Sequence, residues 1–266
     1  MTDLRDTEKE IVTMAKRLKL TYLRDNVVEL METASSTKMT PRETLEYVLR
    51  KEVIQRDSKR IATAHIKAHF PFEATMEGFD MSVQPSLDPG TIRELQKLEW
   101  IQQGENVVFL GPSGVGKTHL SIALGQLALE HGYSVKFYNT LRLVEQLERM
   151  YQMKELDQGI KEINKYKIII LDELGFLPME PAQGQILLRL ISSRYEKKKS
   201  IIVTSNKTPA EWGVCFGDAA AATAALDRLL HHCTPVSIMG DSYRTKECML
   251  KKINKDSCIS IQGNQG

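Results

Sequence analysis

The stretch Gly111-Pro-Ser-Gly-Val-Gly-Lys117-Thr118 constrains the fold of this chain more than any other part of it. It meets the phosphate-loop pattern G-x-x-x-x-G-K-[ST] at every fixed position, and both flanks agree with it. The apolar run from Asn106 to Leu110 reads as a buried parallel strand leading in. Residues 119–129, His-Leu-Ser-Ile-Ala-Leu-Gly-Gln-Leu-Ala-Leu, read as the helix leading out. Gly111, Gly114 and Gly116 let successive backbone N–H groups turn toward one anion at a helix N-terminus, where the macrodipole adds favourable potential. In such a loop Pro112, Ser113 and Val115 complete the cradle, Lys117 reaches the β- and γ-phosphates of a nucleoside triphosphate, and the Thr118 hydroxyl completes the Mg²⁺ shell.

Downstream, apolar strands alternate with helical segments, which predicts a parallel sheet covered by helices on both faces. The expected strands are 133–138, 167–171, 200–204 and 235–239; the expected helices are 141–150, 154–164, 181–197 and 219–232. The most hydrophobic strand ends in Asp172-Glu173, and carboxylates at the carboxyl edge of a parallel strand stand where such sheets bind ligands. Asp172 is placed to hold Mg²⁺ directly or through water, and Glu173 to polarise a water for attack on the γ-phosphate. Asn206 closes the strand after that. Its amide could orient the same water or contact the γ-phosphate, and it equally suits a turn.

Upstream, residues 1–68 show helical periodicity and no strand signal, with one helix announced by the capping box Thr40-Pro-Arg-Glu43. Residues 69–92, with Pro71, Pro85, Pro89 and Gly90, read as a linker, 93–250 as the nucleotide-binding domain and 251–266 as a flexible tail.

No apolar run nears the roughly 18 residues of a membrane span, and the N-terminus has no secretory signature, so a cytoplasmic protein is expected. Cys215, Cys233, Cys248 and Cys258 show no C-x-x-C pairing, which points to reduced thiols. Adjacent His231 and His232 point about 100° apart on a helix and do not suit one metal ion. With a net charge of +2, nucleic-acid binding must rest on local patches. Residues 50–70 carry Arg50, Lys51, Arg56, Lys59, Arg60 and Lys67 against Glu52 and Asp57, and read either as a phosphate-backbone surface or as a solvated helix face. Lys197-Lys-Lys199 suits a helix C-terminus, with DNA contact as its second reading.

Taken together, residues 105–119, Leu171-Asp-Glu-Leu-Gly175, Thr204-Ser-Asn206, Leu226-Asp-Arg-Leu-Leu-His231 and Gly240-Asp-Ser-Tyr-Arg244 resemble the IstB-type ATP-binding proteins. These are the AAA+ partners of transposases of IS21-class insertion sequences, and they are similar to bacterial helicase loaders. The resemblance implies an α/β P-loop AAA+ sheet sandwiched by helices, a small helical N-terminal domain and little or no C-terminal lid. By position, Asn206 matches the sensor 1 residue, Arg228 the arginine finger that reaches a neighbouring subunit's nucleotide, and Arg244 sensor 2. It also implies a DNA-stimulated ATPase that uses ATP and Mg²⁺, forms homo-oligomers with intersubunit sites, binds duplex DNA mostly through its backbone, and works with a transposase. Related initiators and loaders turn the region corresponding to residues 140–167, with Lys154, Lys161, Lys165 and Lys167, toward the DNA path. The rival readings are a helicase loader acting in DNA replication, a small-molecule P-loop kinase, and an ATP-binding scaffold without turnover.

Overall fold

The structure, a computed structural model, describes residues 4–243, so Arg244 and the expected tail 251–266 lie outside the described residues. Its contacts divide into two compact units with the boundary after Thr63.

The first unit is helical: α1 (Leu4–Arg17), α2 (Thr21–Ser36) and most of α3 (Pro41–Ala68). The Thr40–Glu43 capping box forms as the sequence predicts. The Thr40 amide and hydroxyl donate to Glu43 Oε2 at 2.7 and 2.8 Å, and the Glu43 amide donates to Thr40 Oγ1 at 3.4 Å. Helix α2 has Leu20 at its N-cap, which offers no side-chain acceptor. The carboxylate of buried Glu52, on α3, does that work, accepting the amides of Thr21, Tyr22 and Leu23 at 3.0, 2.8 and 3.1 Å. Arg56 adds a charged partner at 3.0 Å. Burial opposes ionisation of Glu52, yet the Leu23 amide, Arg56 and the Tyr22 amide outweigh it and hold its pKa below the ordinary glutamate value.

The second unit carries α4 (Pro89–Gln96), α5 (Glu99–Gln103), β1 (Asn106–Leu110), α6 (Lys117–Glu130), β2 (Val135–Asn139), α7 (Thr140–Gln152) and α8 (Leu156–Ile163). It continues through β3 (Ile168–Asp172), α9 (Pro181–Glu196), β4 (Ser200–Ser205), α10 (Trp212–Cys215), α11 (Ala219–His231) and β5 (Cys233–Ser237). All strand pairs are parallel, in the order β2-β3-β4-β1-β5. Successive strand residues alternate between two apolar layers, the period-2 signature of strands buried on both faces. Val108, Ile169, Leu171 and Val203 meet Leu143 and Leu147 of α7, Ile160 of α8, Leu187 and Leu190 of α9 and Leu229 of α11. On the opposite face Val107, Phe109, Ile168, Ile170 and Ile202 meet Leu120 and Leu124 of α6 and Ile92 and Leu95 of α4.

Several boundaries differ from the sequence reading, and two have a clear physical reason. The segment 69–92, expected as a linker, is packed into this unit: Ala74, Phe79 and Leu87 are buried. Pro89-Gly90 opens α4 rather than breaking the chain, because the Asp88 carboxylate caps the amides of Gly90 and Thr91 at 3.1 and 2.8 Å. Strand β5 starts at Cys233, two residues before the expected Pro235. It is a terminal strand of the sheet, where a proline's missing N–H is tolerated. Among the described residues, no helix is long and apolar enough to cross a membrane.

Candidate nucleotide site

The loop between β1 and α6 lies at the carboxyl edge of the sheet, and Gly116 is the N-cap of α6. Its glycines are sterically required, as two of them illustrate. Gly114 and Gly116 have φ of 84° and 98°, where L side chains are strained. A Cβ would fall 2.1 Å from Ser242 Oγ at the first and 2.4 Å from the Phe79 ring at the second. The Lys117 ammonium donates to the carbonyls of Gly111 and Pro112 at 2.9 and 2.6 Å, while Val115 anchors the loop in the apolar core.

Strand register assembles the rest. Asn139 on β2 pairs with Asp172 on β3, and Thr204 on β4 follows the last β3–β4 pair, Leu171 with Val203. Asp172 is buried, and its Oδ1 accepts the hydroxyls of Thr118 at 2.8 Å and Thr204 at 2.6 Å. Glu173 leaves the strand in a left-handed conformation, φ 61°, which turns its exposed carboxylate away from the core. Thr204 Oγ1 accepts the Glu173 amide at 2.9 Å, and the Asn139 amide donates to Glu173 Oε2 at 3.1 Å. The same Asn139 side chain caps α7 by accepting the Arg142 amide at 3.3 Å.

These groups face one cavity of about 580 Å³. Its polar end holds Ser113, Gly114, Lys117, Thr118, Asp172, Glu173, Asn206, Asn139 and Arg142, and its other wall is aromatic. There Phe79 lies 5.6 Å from both the His119 and Tyr243 rings, and Phe72 lies 6.5 Å from His119. The segment after β5 crosses the loop. The Tyr243 amide donates to the Gly114 carbonyl at 3.0 Å and its hydroxyl donates to the Asp80 carbonyl.

Of the residues read from the sequence, Ser113, Gly114, Gly116, Lys117, Thr118, Asp172, Glu173 and Asn206 line this cavity. Gly111 and Pro112 support it through their carbonyls. Arg228 does not reach it. It bonds back to the Ala224 carbonyl at 2.8 Å and lines a separate small crevice with Asn106, Tyr195, Lys199 and His232, at the amino-terminal edge of the sheet. Sequence reasoning missed Asn139, Thr204, Phe79, His119 and Tyr243. The aromatic residues of 70–79 carried the one available signal, an apolar content at odds with a solvated linker.

The donor set fits a nucleoside triphosphate with a hard cation: a glycine cradle too tight for any side chain, and two oxygen donors, Thr118 Oγ1 and Asp172 Oδ1, 2.8 Å apart beside it. A five-stranded parallel sheet in this order, with the phosphate loop after β1 and an acid pair after β3, defines a P-loop protein of the AAA+ class. Within that class, the chain belongs to the IstB-like ATP binding protein family, whose profile matches residues 13–250. It is 42% identical over 238 residues to the insertion sequence IS21 putative ATP-binding protein of Pseudomonas aeruginosa, covering 90% of this chain and 89% of that one. The IS5376 putative ATP-binding protein of Geobacillus stearothermophilus is 38% identical over 236 residues, 89% and 94% of the two chains. Among solved structures, AMPPCP-bound DnaA from Aquifex aeolicus shares the fold with a TM-score of 0.53 at 21% identity, covering 70% of this chain and 57% of that one.

Proposed function

We propose that this protein is an ATP-hydrolysing regulator of DNA transposition that assembles on duplex DNA and recruits or stimulates a transposase. The observation that carries the hydrolytic part is the disposition of Glu173: exposed to the phosphate-loop cavity on a left-handed turn, and held by Asn139 and Thr204. Membership of a family whose relatives are named as insertion-sequence ATP-binding proteins supports the transposition part.

The chemistry follows from the side chains. Lys117 exchanges the Gly111 and Pro112 carbonyls for phosphate oxygens, a stronger partner for an ammonium ion. Thr118 and Asp172 would hold Mg²⁺, which when bound neutralises charge on the β- and γ-phosphates. Glu173 takes the proton from the attacking water, and Asn139 keeps its carboxylate from drifting out of reach. Asn206, at the end of β4, orients that water or the γ-phosphate. The aromatic wall of Phe79, His119 and Tyr243 receives the base by stacking. Arg228, placed at the far edge of the sheet, acts on the nucleotide of a neighbouring protomer, and Arg244 is assigned the sensor 2 role.

Mixing two inactive variants tests this arrangement. Glu173→Gln and Arg228→Ala should each bind ATP and assemble on duplex DNA, as read by light scattering. Each should lose about 10² to 10⁴ or more of DNA-stimulated phosphate release. Mixed together, they should recover part of it, because some interfaces then pair an intact Glu173 with an intact Arg228. No recovery from variants that co-assemble would refute the intersubunit site. Phosphate release that ignores DNA and depends on a metabolite would favour a kinase instead.

A further inference from the structure

At the amino-terminal edge of the sheet, opposite the nucleotide cavity, lysines stand in a row. Register pairs Val135 with Ile168 and Ile168 with Ser200, so Lys167 and Lys199, each just before its strand, are neighbours about 5 Å apart, with Lys136 one residue into β2 beside them. Lys197 and Lys198 complete the turn between α9 and β4 and are exposed. Behind them Arg194 is fully buried.

The partners of these cations are unusual. Lys167 Nζ donates to the Lys198 carbonyl at 2.9 Å, Lys199 Nζ to the Asn164 carbonyl, and Lys136 Nζ to the Lys67 carbonyl at 2.9 Å. Arg194 donates to the carbonyls of Lys167 and Ser200 at 2.9 and 2.7 Å. Among the described residues none of Lys136, Lys167, Arg194, Lys197, Lys198 and Lys199 makes an ion pair, whereas nearby Lys165 bonds Glu162 at 2.6 Å. By contrast, Arg50, Arg56 and Arg60 of the basic helix each hold a carboxylate of their own helix: Glu46, Glu52 and Asp57.

The α9 C-terminus carries about half a negative charge, which accounts for one cation and not for six. The turn is also rigidly built. Lys198 sits at φ 48°, and Gly104 packs so close that a Cβ there would lie 2.8 Å from the Lys198 backbone. Burial, then the charges of Arg194, Lys167 and Lys197, push the Lys199 ammonium below its ordinary pKa, and burial and Arg194 do the same to Lys167. A bound polyanion would relieve that mutual repulsion.

We propose that this edge is a duplex-DNA backbone site in which Lys197 and Lys198 contact phosphates while Lys136, Lys167, Lys199 and Arg194 sustain the positive potential behind them. The inference rests on the DNA-binding reading above and assigns the phosphate contacts to Lys197 and Lys198 rather than to the basic residues of helix 50–70.

The test is fluorescence anisotropy of labelled duplexes across a salt series, using the full chain with Lys197→Gln and Lys198→Asn combined. Asparagine tolerates the left-handed conformation better than lysine, so thermal unfolding should show a variant at least as stable as wild type. Binding should weaken on every sequence, and the slope of log Kobs against log salt should shrink in magnitude by about 2. A control, Lys9→Gln with Lys97→Gln, removes two exposed lysines paired with Asp6 and Glu94 and should retain the wild-type slope. Unchanged slope and affinity in the edge variant, or an equal loss in the control, would overturn the proposal. So would reduced DNA-independent hydrolysis with DNA binding intact, which would assign these charges to a neighbour's nucleotide. Failure of the wild type to bind any duplex would remove the DNA reading itself.

Discussion

Thr204 offers the sharpest test of how the site is held, because its hydroxyl makes two bonds at once and touches no part of the phosphate cradle. It donates to the buried Asp172 carboxylate at 2.6 Å and accepts the Glu173 amide at 2.9 Å. Thr204→Val keeps the branched shape and deletes both. The bond to a charged group contributes about 1.5–3 kcal/mol, and the amide bond about 1 kcal/mol. The sum, about 2.5–4 kcal/mol, covers the loss of stability and of transition-state positioning together, with about 4 kcal/mol as its upper bound. If most of it is felt where Glu173 must meet the water, kcat falls by about 10², since each 1.36 kcal/mol is tenfold. ATP affinity should change little, because Lys117, Thr118 and the loop amides are untouched. Thr204→Ser retains the hydroxyl and should hydrolyse ATP within a few-fold of wild type. The assay is steady-state phosphate release at saturating ATP and duplex DNA, with ATP affinity and thermal unfolding measured in parallel. Wild-type turnover in Thr204→Val would refute the claim that this hydroxyl sets the acid pair. Equal losses in the valine and serine variants would implicate packing instead.

Gly116→Ala should abolish nucleotide binding, measured by calorimetry, and lower thermal stability, since its φ of 98° and the Phe79 ring 2.4 Å from the new Cβ both oppose a side chain; a variant that binds ATP normally would show that the loop relaxes freely. The first unit should lose stability in acid. The folded-state pKa of Glu52 lies below its unfolded value, so its contribution is present above the unfolded pKa, near 4.3, and disappears as pH falls through the folded one. Denaturant midpoints followed by circular dichroism should therefore drop less steeply between about pH 5 and pH 3 for Glu52→Gln than for wild type. The same substitution should cost about 1–3 kcal/mol at neutral pH, through the weakened cap of α2.

The sequence made legible what is local in it. The phosphate loop spans eight consecutive residues, Asp172 and Glu173 are adjacent, and the Thr40–Glu43 box closes within one turn. Each is set by chemistry at a fixed short spacing, and each appears in the structure at the expected place. Asn139 and Thr204 carry no comparable signal. A polar residue ending a strand is ordinary, and what makes these two matter is that parallel pairing carries them beside Asp172 from 33 positions before it and 32 after. The roles proposed for Arg228 and Arg244 come from the family resemblance alone, because an arginine has many uses and its sequence neighbours do not distinguish them.

The segment 69–92 reads as a linker for a different reason. Its prolines and glycine are punctuation that a linker and a packed, irregular wall share. What separates the two is burial: Phe79 covers Gly116 so closely that the phosphate loop could not accept a side chain there. A loop glycine explained by phosphate binding alone is thus explained a second time by the aromatic wall behind it. The two roles make different demands, and this gives a way to separate them. Phe79→Ala opens space over Gly116, so a Gly116→Ala change made in that background should lose less stability than in wild type, while the positive φ still opposes it. Unfolding midpoints for the two single variants and the double variant form a complete cycle. A coupling of about 1 kcal/mol or more in the direction of rescue is expected for residues in contact. Strict additivity would mean that Phe79 does not enforce the glycine, and that the backbone conformation alone does.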